Sequence, residues 1–475
     1  MTPVPRALRG GLTAAFLLSI YLALGIADQR AVPLFEAPDE PSHIQYVVFL
    51  NREGRPPAML GTPDVPGEGM QPPLYYLLLE PLFALASPSY DPMLLPDLHQ
   101  ANRWIYRFAD LREVPPGVRI RMLGTTQGRG HIFAVDPALD YLRALRWGSL
   151  AFGALTLLLT FDAARRVSKS VPFALLCASL LGLSPQFLFV SSYVNNDVAC
   201  AALGASAFWL FAFVVERDRV VRVHYLAAAA LMAIALATKL SALPVLMVCA
   251  VALFALDRRP LRLRLRDVAL AAALGLVLAL PSLWMNRLRF GGMLGASALI
   301  ASSDSLGGFD TYGSRGEYLW QIYPYVVFRS YWATFGWLHI VAAPWVYLLL
   351  FALCWTGLLG LLLGWRDERR RMPEPTSDAA FDALRRGRVL RRYALATVLA
   401  TLAAHFWLNL HIVAVQGRHL FGAAPQVAAL LALGTSQLVG SRPFGMGWRS
   451  AGAISAGMLG LALYGLARML LPHYP

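Results

Sequence analysis

The chain is poor in charge. Only 15% of its 475 residues are Asp, Glu, Lys or Arg, against about a quarter in an ordinary soluble domain, so water is not the solvent for much of it. Cysteine is scarcer still. Cys177, Cys200, Cys249 and Cys354 are the four present, each inside an apolar stretch, which excludes a disulfide framework and a cysteine zinc site. No internal repeat and no low-complexity tract is visible, and Pro373 to Ser377 reads as a linker within a loop rather than a domain boundary. What is abundant is apolar: 57% of the residues, gathered in blocks close to the ~20 residues that cross a ~30 Å hydrocarbon core. Leu12 to Ala27 and Ala269 to Leu283 contain no charge at all.

Lys and Arg total 42 against 28 Asp and Glu, a formal charge of +14. Such an excess suits nucleic acid or a membrane. Here many of the bases stand in short loops between apolar blocks, the pattern of loops retained in the cytoplasm, so no nucleic-acid partner is expected and membrane lipids are. The expected fold is all-α: one polytopic membrane domain over 1–475 with about eleven transmembrane helices. Spans fall near 8–27, 145–164, 172–191, 197–215, a hairpin within 225–256, then 267–285, 341–364, 393–411, 420–439 and 451–470. The hairpin is required because Tyr225 to Leu256 is ~48 Å of straight helix, too long for one comfortable span, while Arg222 and Arg258 place both ends on the basic side. Loops 28–141 and 286–339 then lie outside the cytoplasm and the basic loop 365–392 inside it. The basic start, Met1 to Gly10, fits a cleavable signal peptide or an uncleaved first span, and the second is expected.

Five short elements stand out on the outer side. Phe35-Glu-Ala-Pro-Asp-Glu-Pro-Ser-His43 puts Asp39 and Glu40 at the start of a helix opened by Pro41, with His43 on the same side as Asp39. Ile44, Val47 and Val48 continue it as an interfacial helix, and Gly54 ends it. Gln71-Pro-Pro-Leu-Tyr75-Tyr76 follows in the same loop. Tyr193-Val-Asn-Asn196-Asp197 opens a later span, Thr238-Lys239 forms the hairpin tip, and Gln416-Gly-Arg418-His419 precedes the tenth span. Each has an ordinary explanation taken singly: acids favour helix starts, Asn-Asn-Asp caps a helix, a lysine snorkels, and an arginine anchors a helix at the interface. Together they offer carboxylates to deprotonate a hydroxyl and cations to hold a departing phosphate.

The order Pro-Asp-Glu-Pro-Ser-His, Gln-Pro-Pro-Leu-Tyr-Tyr, Asn-Asn-Asp, Thr-Lys and Gln-Gly-Arg-His-Leu resembles the GT-C superfamily of polytopic glycosyltransferases that use polyprenyl-phosphate sugars. Phe35 to His43, Ser330 to Trp337 and Gln416 to Leu420 look most like the bacterial membrane family catalogued as domain of unknown function 2142. The resemblance implies a polyprenyl-phosphate sugar donor, an extracytoplasmic acceptor and a single inverting displacement. It implies Asp39 as catalytic base with Glu40 beside it, His43 and Asp197 orienting the acceptor or a metal, and Lys239 and Arg418 binding the donor phosphate. Gln71, Tyr75, Asn196 and His419 are further contact candidates. Some relatives hold a divalent metal, magnesium or manganese, near these acids and others hold none; Asp39, Glu40, His43 and Asp197 are the ligands on offer here, without a strong ligand spacing. The implied place is a bacterial plasma membrane with the active face on the periplasmic side. A transporter or flippase of a lipid-linked or anionic substrate, or a non-catalytic envelope-assembly protein, are the competing readings. Trp320, Tyr323, Tyr325, Tyr331, Trp332 and Trp337 read as an interfacial belt, with an acceptor groove as the alternative. Arg103, Arg107, Arg119 and Arg121 in the insertion 88–140 suit an acidic acceptor.

Overall fold

The computed structural model describes residues 6–60, 64–65, 67–86, 137–293, 314–370, 378–440 and 443–474. The arginines at 103, 107, 119 and 121 lie outside the described residues, as does 294–313, much of the second large loop. Apolar sequence becomes helix nearly throughout, because a helix satisfies its own backbone polar groups where water is absent. Seven of the described helices are long and apolar enough to cross a bilayer, or eight if a bent pair counts as one span. The chain is a helical, multi-pass membrane protein.

The seven fall short of the expected eleven for reasons of length, bending and charge. We number the helices α1 (Arg6–Ala31), α2 (Glu40–Glu53), α3 (Leu74–Ala86), α4 (Arg146–Ser168), α5 (Val171–Gly182) and α6 (Pro185–Ser191). They continue as α7 (Asp197–Arg217), α8 (Arg222–Thr238), α9 (Leu243–Leu256) and α10 (Leu261–Phe290). The last are α11 (Tyr323–Trp332), α12 (Pro344–Arg370), α13 (Asp378–Asn409), α14 (Ala424–Gly440) and α15 (Trp448–Tyr464). The span expected over 172–191 is broken: α5 and α6 meet at 64°. Pro185 removes an N–H and drives Ser184 into extended backbone, which a continuous helix cannot contain. The hairpin arms α8 and α9 have 17 and 14 residues, short of a full crossing. The first half of α13 carries Asp378, Asp382, Arg385, Arg386, Arg388, Arg391 and Arg392, so the basic loop expected at 365–392 is largely helix extended beyond the apolar stretch.

Among the described residues the fold departs from all-α at one point. Thr334–Phe335 (β1) and Ile340–Val341 (β2) pair antiparallel, Thr334 opposite Val341, ahead of Pro344 at the start of α12. Apolar side chains on α10 and α12 face outward, Val277 and Leu348 being 61% and 69% exposed, as lipid contact requires. Inside, α4, α5, α7 and α14 share the largest buried cluster. A second cluster lies under the first loop, joining Leu34, Phe35, Ile44 and Tyr46 to Tyr75, Tyr76 and Trp337. Backbone contact fixes one junction: a Cβ on Gly204 of α7 would stand 1.7 Å from the carbonyl oxygen of Gly422. That glycine therefore seats the 3-10 helix Gly417–Ala423, the element that carries Arg418, directly on α7.

Candidate active site

The first turn after α1 is held in an unusual backbone. Phe35 and Asp39 both have positive φ, 71° and 62°, which costs an L-residue of this kind on the order of 1–3 kcal/mol and persists only when the surroundings enforce it. Arg146, fully buried at the start of α4, does the enforcing. Its Nε and Nη2 donate to the two carboxylate oxygens of Glu40, each at 2.7 Å. The remaining guanidinium hydrogens go to the carbonyls of Gln29, Val32 and Pro33. Glu40 in turn accepts from the backbone N–H of Phe35 at 3.0 Å and of Val194 at 3.2 Å. One buried ion pair thus ties the first-loop turn to the loop before α7.

That loop is shaped by Asn195. Its side-chain oxygen accepts from the N–H groups of Asp197 and Val198, a helix cap, and its amide donates to the carbonyls of Val190 and Tyr193. With Asn195 capping, the side chains of Asn196 and Asp197 are free to meet other segments. Lys239 Nζ donates to Asn196 Oδ1 and Asp197 Oδ1, both at 2.7 Å. Arg418 pairs with Asp39 through Nη2, donates to the Tyr193 hydroxyl at 3.0 Å, and sets its Nε 3.5 Å from Asp197 Oδ2. Asn196 Nδ2 donates to Gln71 Oε1 at 3.1 Å. Segments 39, 71, 196–197, 239 and 418 therefore meet at one centre. Arg418 Nε is buried without a hydrogen-bond partner, and the Lys239 ammonium, with three donors, is 13% exposed and uses two of them on the protein. The centre retains donors for an anion.

Other sequence candidates make their bonds outside that centre. Glu40 belongs to the Arg146 clamp. His43 Nδ1 and the Tyr76 hydroxyl share a hydrogen bond of 2.8 Å; burial, with Lys239 and Arg418 nearby, keeps its imidazole well below the usual histidine range. Tyr75 is structural in its contacts, its hydroxyl 2.7 Å from Ser149 Oγ and accepting from Asn195 N–H. His419 Nδ1 donates to the carbonyl of Ala414 and its ring packs on His405. Tyr323 reaches His405, and Tyr331 packs on Trp332 and Phe421, so these aromatics serve packing. Of the four proposed metal ligands, Asp39 and Asp197 share Arg418, Glu40 is taken by Arg146 and His43 by Tyr76, and no three His, Cys, Asp or Glu gather as metal ligands among the described residues.

Three residues not singled out in the sequence shape the centre. Arg146 sits just inside an apolar block, where a buried base is itself a signal. Glu68 opens the short 3-10 turn Glu68–Met70. Burial, and next the charge of Asp39, push its carboxyl up to about 7, while Lys239, Arg418 and a hydrogen bond with Gln71 act in the other direction. Arg289, at the end of α10, donates to the carbonyls of Pro57, Gly69 and Gln71 and so fixes that turn. Glu68 and Arg289 had no motif around them, only a Gly- and Pro-rich stretch and a span end.

Residues 139–285 match the family model described as dolichyl-phosphate-mannose-protein mannosyltransferase, a stretch that contains Arg146, Asn196, Asp197 and Lys239. No curated protein matches the chain. Two solved structures resemble it. The crystal structure of ArnT from Cupriavidus metallidurans bound to undecaprenyl phosphate does so with 14% identity and a TM-score of 0.48, over 97% of this chain and 73% of that one. The crystal structure of the Archaeoglobus fulgidus oligosaccharyltransferase tethered to an acceptor peptide gives 14% identity and a TM-score of 0.43, over 97% of this chain and 55% of that one.

Proposed function

We propose that the chain is a membrane glycosyltransferase of GT-C type, moving a sugar from a polyprenyl-phosphate donor to an acceptor on the extracytoplasmic face of a bacterial plasma membrane. The observation that carries this reading is the meeting of Asp39, Asp197, Lys239 and Arg418 from four distant segments, with cationic donors left over. The match to a lipid-phosphate mannosyltransferase family over 139–285 supports it, as does the order of motifs. Within the superfamily we place the chain nearest the bacterial family of unknown function 2142, on Phe35 to His43, Ser330 to Trp337 and Gln416 to Leu420.

In the proposed reaction the acceptor hydroxyl sits on Asp39, which takes its proton as the oxygen attacks the anomeric carbon. The carbon–oxygen bond to phosphate breaks in the same displacement, inverting that carbon. Arg418 and Lys239 hold the phosphate as its charge grows, worth most in a site that excludes water. Asp197 and Asn196 aim the two cations, and Gln71 braces Asn196. Glu40 supports the turn through Arg146 in place of the chemical role the sequence suggested. The test is incubation of the purified protein with a panel of polyprenyl-phosphate sugars, reading release of free lipid phosphate. Asp39→Asn is expected to abolish release while the protein stays folded and monodisperse; undiminished release in that variant refutes the assignment.

A further inference from the structure

The centre holds a carboxylate that the proposed reaction has not used. Asp39 is paired with Arg418, Asp197 with Lys239 and Arg418, and Glu40 with Arg146. Glu68 is in no ion pair with any described residue, although it is half-buried beside the same centre. Its position is tightly fixed. A Cβ on Gly67 would lie 3.1 Å from Ser42 Oγ, so the turn abuts the first turn of α2, three residues from Asp39. Arg289 grips the carbonyls of Gly69 and Gln71, and the Tyr46 hydroxyl donates to the Gln71 carbonyl at 3.2 Å. On the other side the Gln71 side chain is bonded to Asn196. A carboxylate on a turn anchored by Arg289, Tyr46 and Asn196, hydrogen-bonded to Gln71, within the fields of the base and the phosphate cations and in no ion pair of its own, is built to carry a proton.

We propose that Glu68 is a second catalytic carboxylate, which receives from Asp39 the proton that leaves the acceptor hydroxyl. The inference rests on the transferase reading and deepens it. The acceptor O–H bond breaks as the bond from oxygen to the anomeric carbon forms; the proton passes through Asp39 to Glu68, directly or over one water, and leaves from Glu68 to bulk water. The phosphate departs with its bonding electrons to Lys239 and Arg418. The division of labour follows the charges: Asp39 keeps its place on Arg418 between turnovers, while Glu68 feels the charges of Asp39, Lys239 and Arg418 with neither cation bonded to it as a counter-ion. Burial already favours its protonated form, which makes it the place for a proton to rest. Glu68 has to be ionised to receive that proton, so transfer should rise with pH up to about 7, the value toward which its surroundings push it.

The experiment uses the full chain in detergent or nanodiscs, with the donor panel for turnover and undecaprenyl phosphate as the binding probe. Glu68→Gln should lower kcat by roughly 10-fold or more, the scale of lost proton transfer, leave KM for the donor and binding of undecaprenyl phosphate unchanged, and remove the acid limb of the pH–rate profile. Glu68→Asp should restore part of kcat and of that limb. Arg289→Lys, which loosens the turn but keeps the carboxylate, should lower kcat while retaining the limb. Wild-type turnover with an unimpaired Glu68→Gln variant, or a variant defective only in undecaprenyl phosphate binding, overturns the inference alone. Wild type silent on every donor overturns the transferase reading and this inference with it.

Discussion

Glu40→Ala separates support from chemistry at the acidic pair. Both side chains of the Glu40–Arg146 pair are fully buried, and the guanidinium and carboxylate meet through two bonds of 2.7 Å. Deleting one member leaves an uncompensated buried charge, which costs on the order of 3–5 kcal/mol. The Phe35 and Val194 N–H groups lose their acceptor in the same step, each worth about 1–3 kcal/mol when left unsatisfied. These costs overlap, so we take about 3–5 kcal/mol as the expectation for the single variant, a fall of several degrees in melting midpoint. Glu40→Gln keeps a side-chain oxygen for the Phe35 and Val194 N–H groups and should lose less than Glu40→Ala. The assay is thermal melting followed by size-exclusion of the detergent-solubilised protein, run beside lipid-phosphate release. Wild-type melting in Glu40→Ala with transfer lost would make Glu40 part of the reaction and refute the argument for a supporting role. A Glu40→Gln variant no more stable than Glu40→Ala would refute the energetic reasoning.

Four further variants test how the centre is assembled. Arg418→Lys cannot reach Asp39, Tyr193 and the Pro38 carbonyl together as a forked guanidinium does, so it should abolish transfer and weaken binding of undecaprenyl phosphate; Lys239→Met should weaken that binding by about 1.5–3 kcal/mol, the worth of a charged hydrogen bond, and titration of the probe measures both. Gly204→Ala drives a methyl into the Gly422 carbonyl, and should lower both stability and turnover by displacing the 3-10 helix that carries Arg418, whereas Gly457→Ala on α15, which meets nothing within 4 Å, should leave both unchanged.

Much of this arrangement was legible in the amino-acid pattern, and the exceptions have physical causes. Helix positions followed from apolar length, and the turn at Lys239 from an excess of that length over what a membrane accommodates. Asp39, Asp197, Lys239 and Arg418 stood out because each interrupts or borders an apolar block, where a charge needs a reason. The acids could not be sorted by role, since Asp39 and Glu40 are neighbours in the chain but point into different surroundings, one to Arg418 and the other to Arg146. Nothing local distinguishes them. The break before Pro185 was visible as a proline, yet the bend depends on packing that a run of apolar residues does not encode. Glu68 was silent because the turn bearing it is ordered by Arg289, more than two hundred residues away.

The hairpin arms have a consequence beyond their role in presenting Lys239. With 14 residues α9 is about 21 Å long, some two-thirds of a ~30 Å hydrocarbon layer. In the proposed reaction, a donor whose charged head floats at the lipid–water boundary would have to sink toward the ammonium, or the sheet of lipids would have to dimple locally to meet it. Either way the bilayer would become a working part of the proposed enzyme: the length of the surrounding acyl chains would set how far the phosphate travels before it can be gripped.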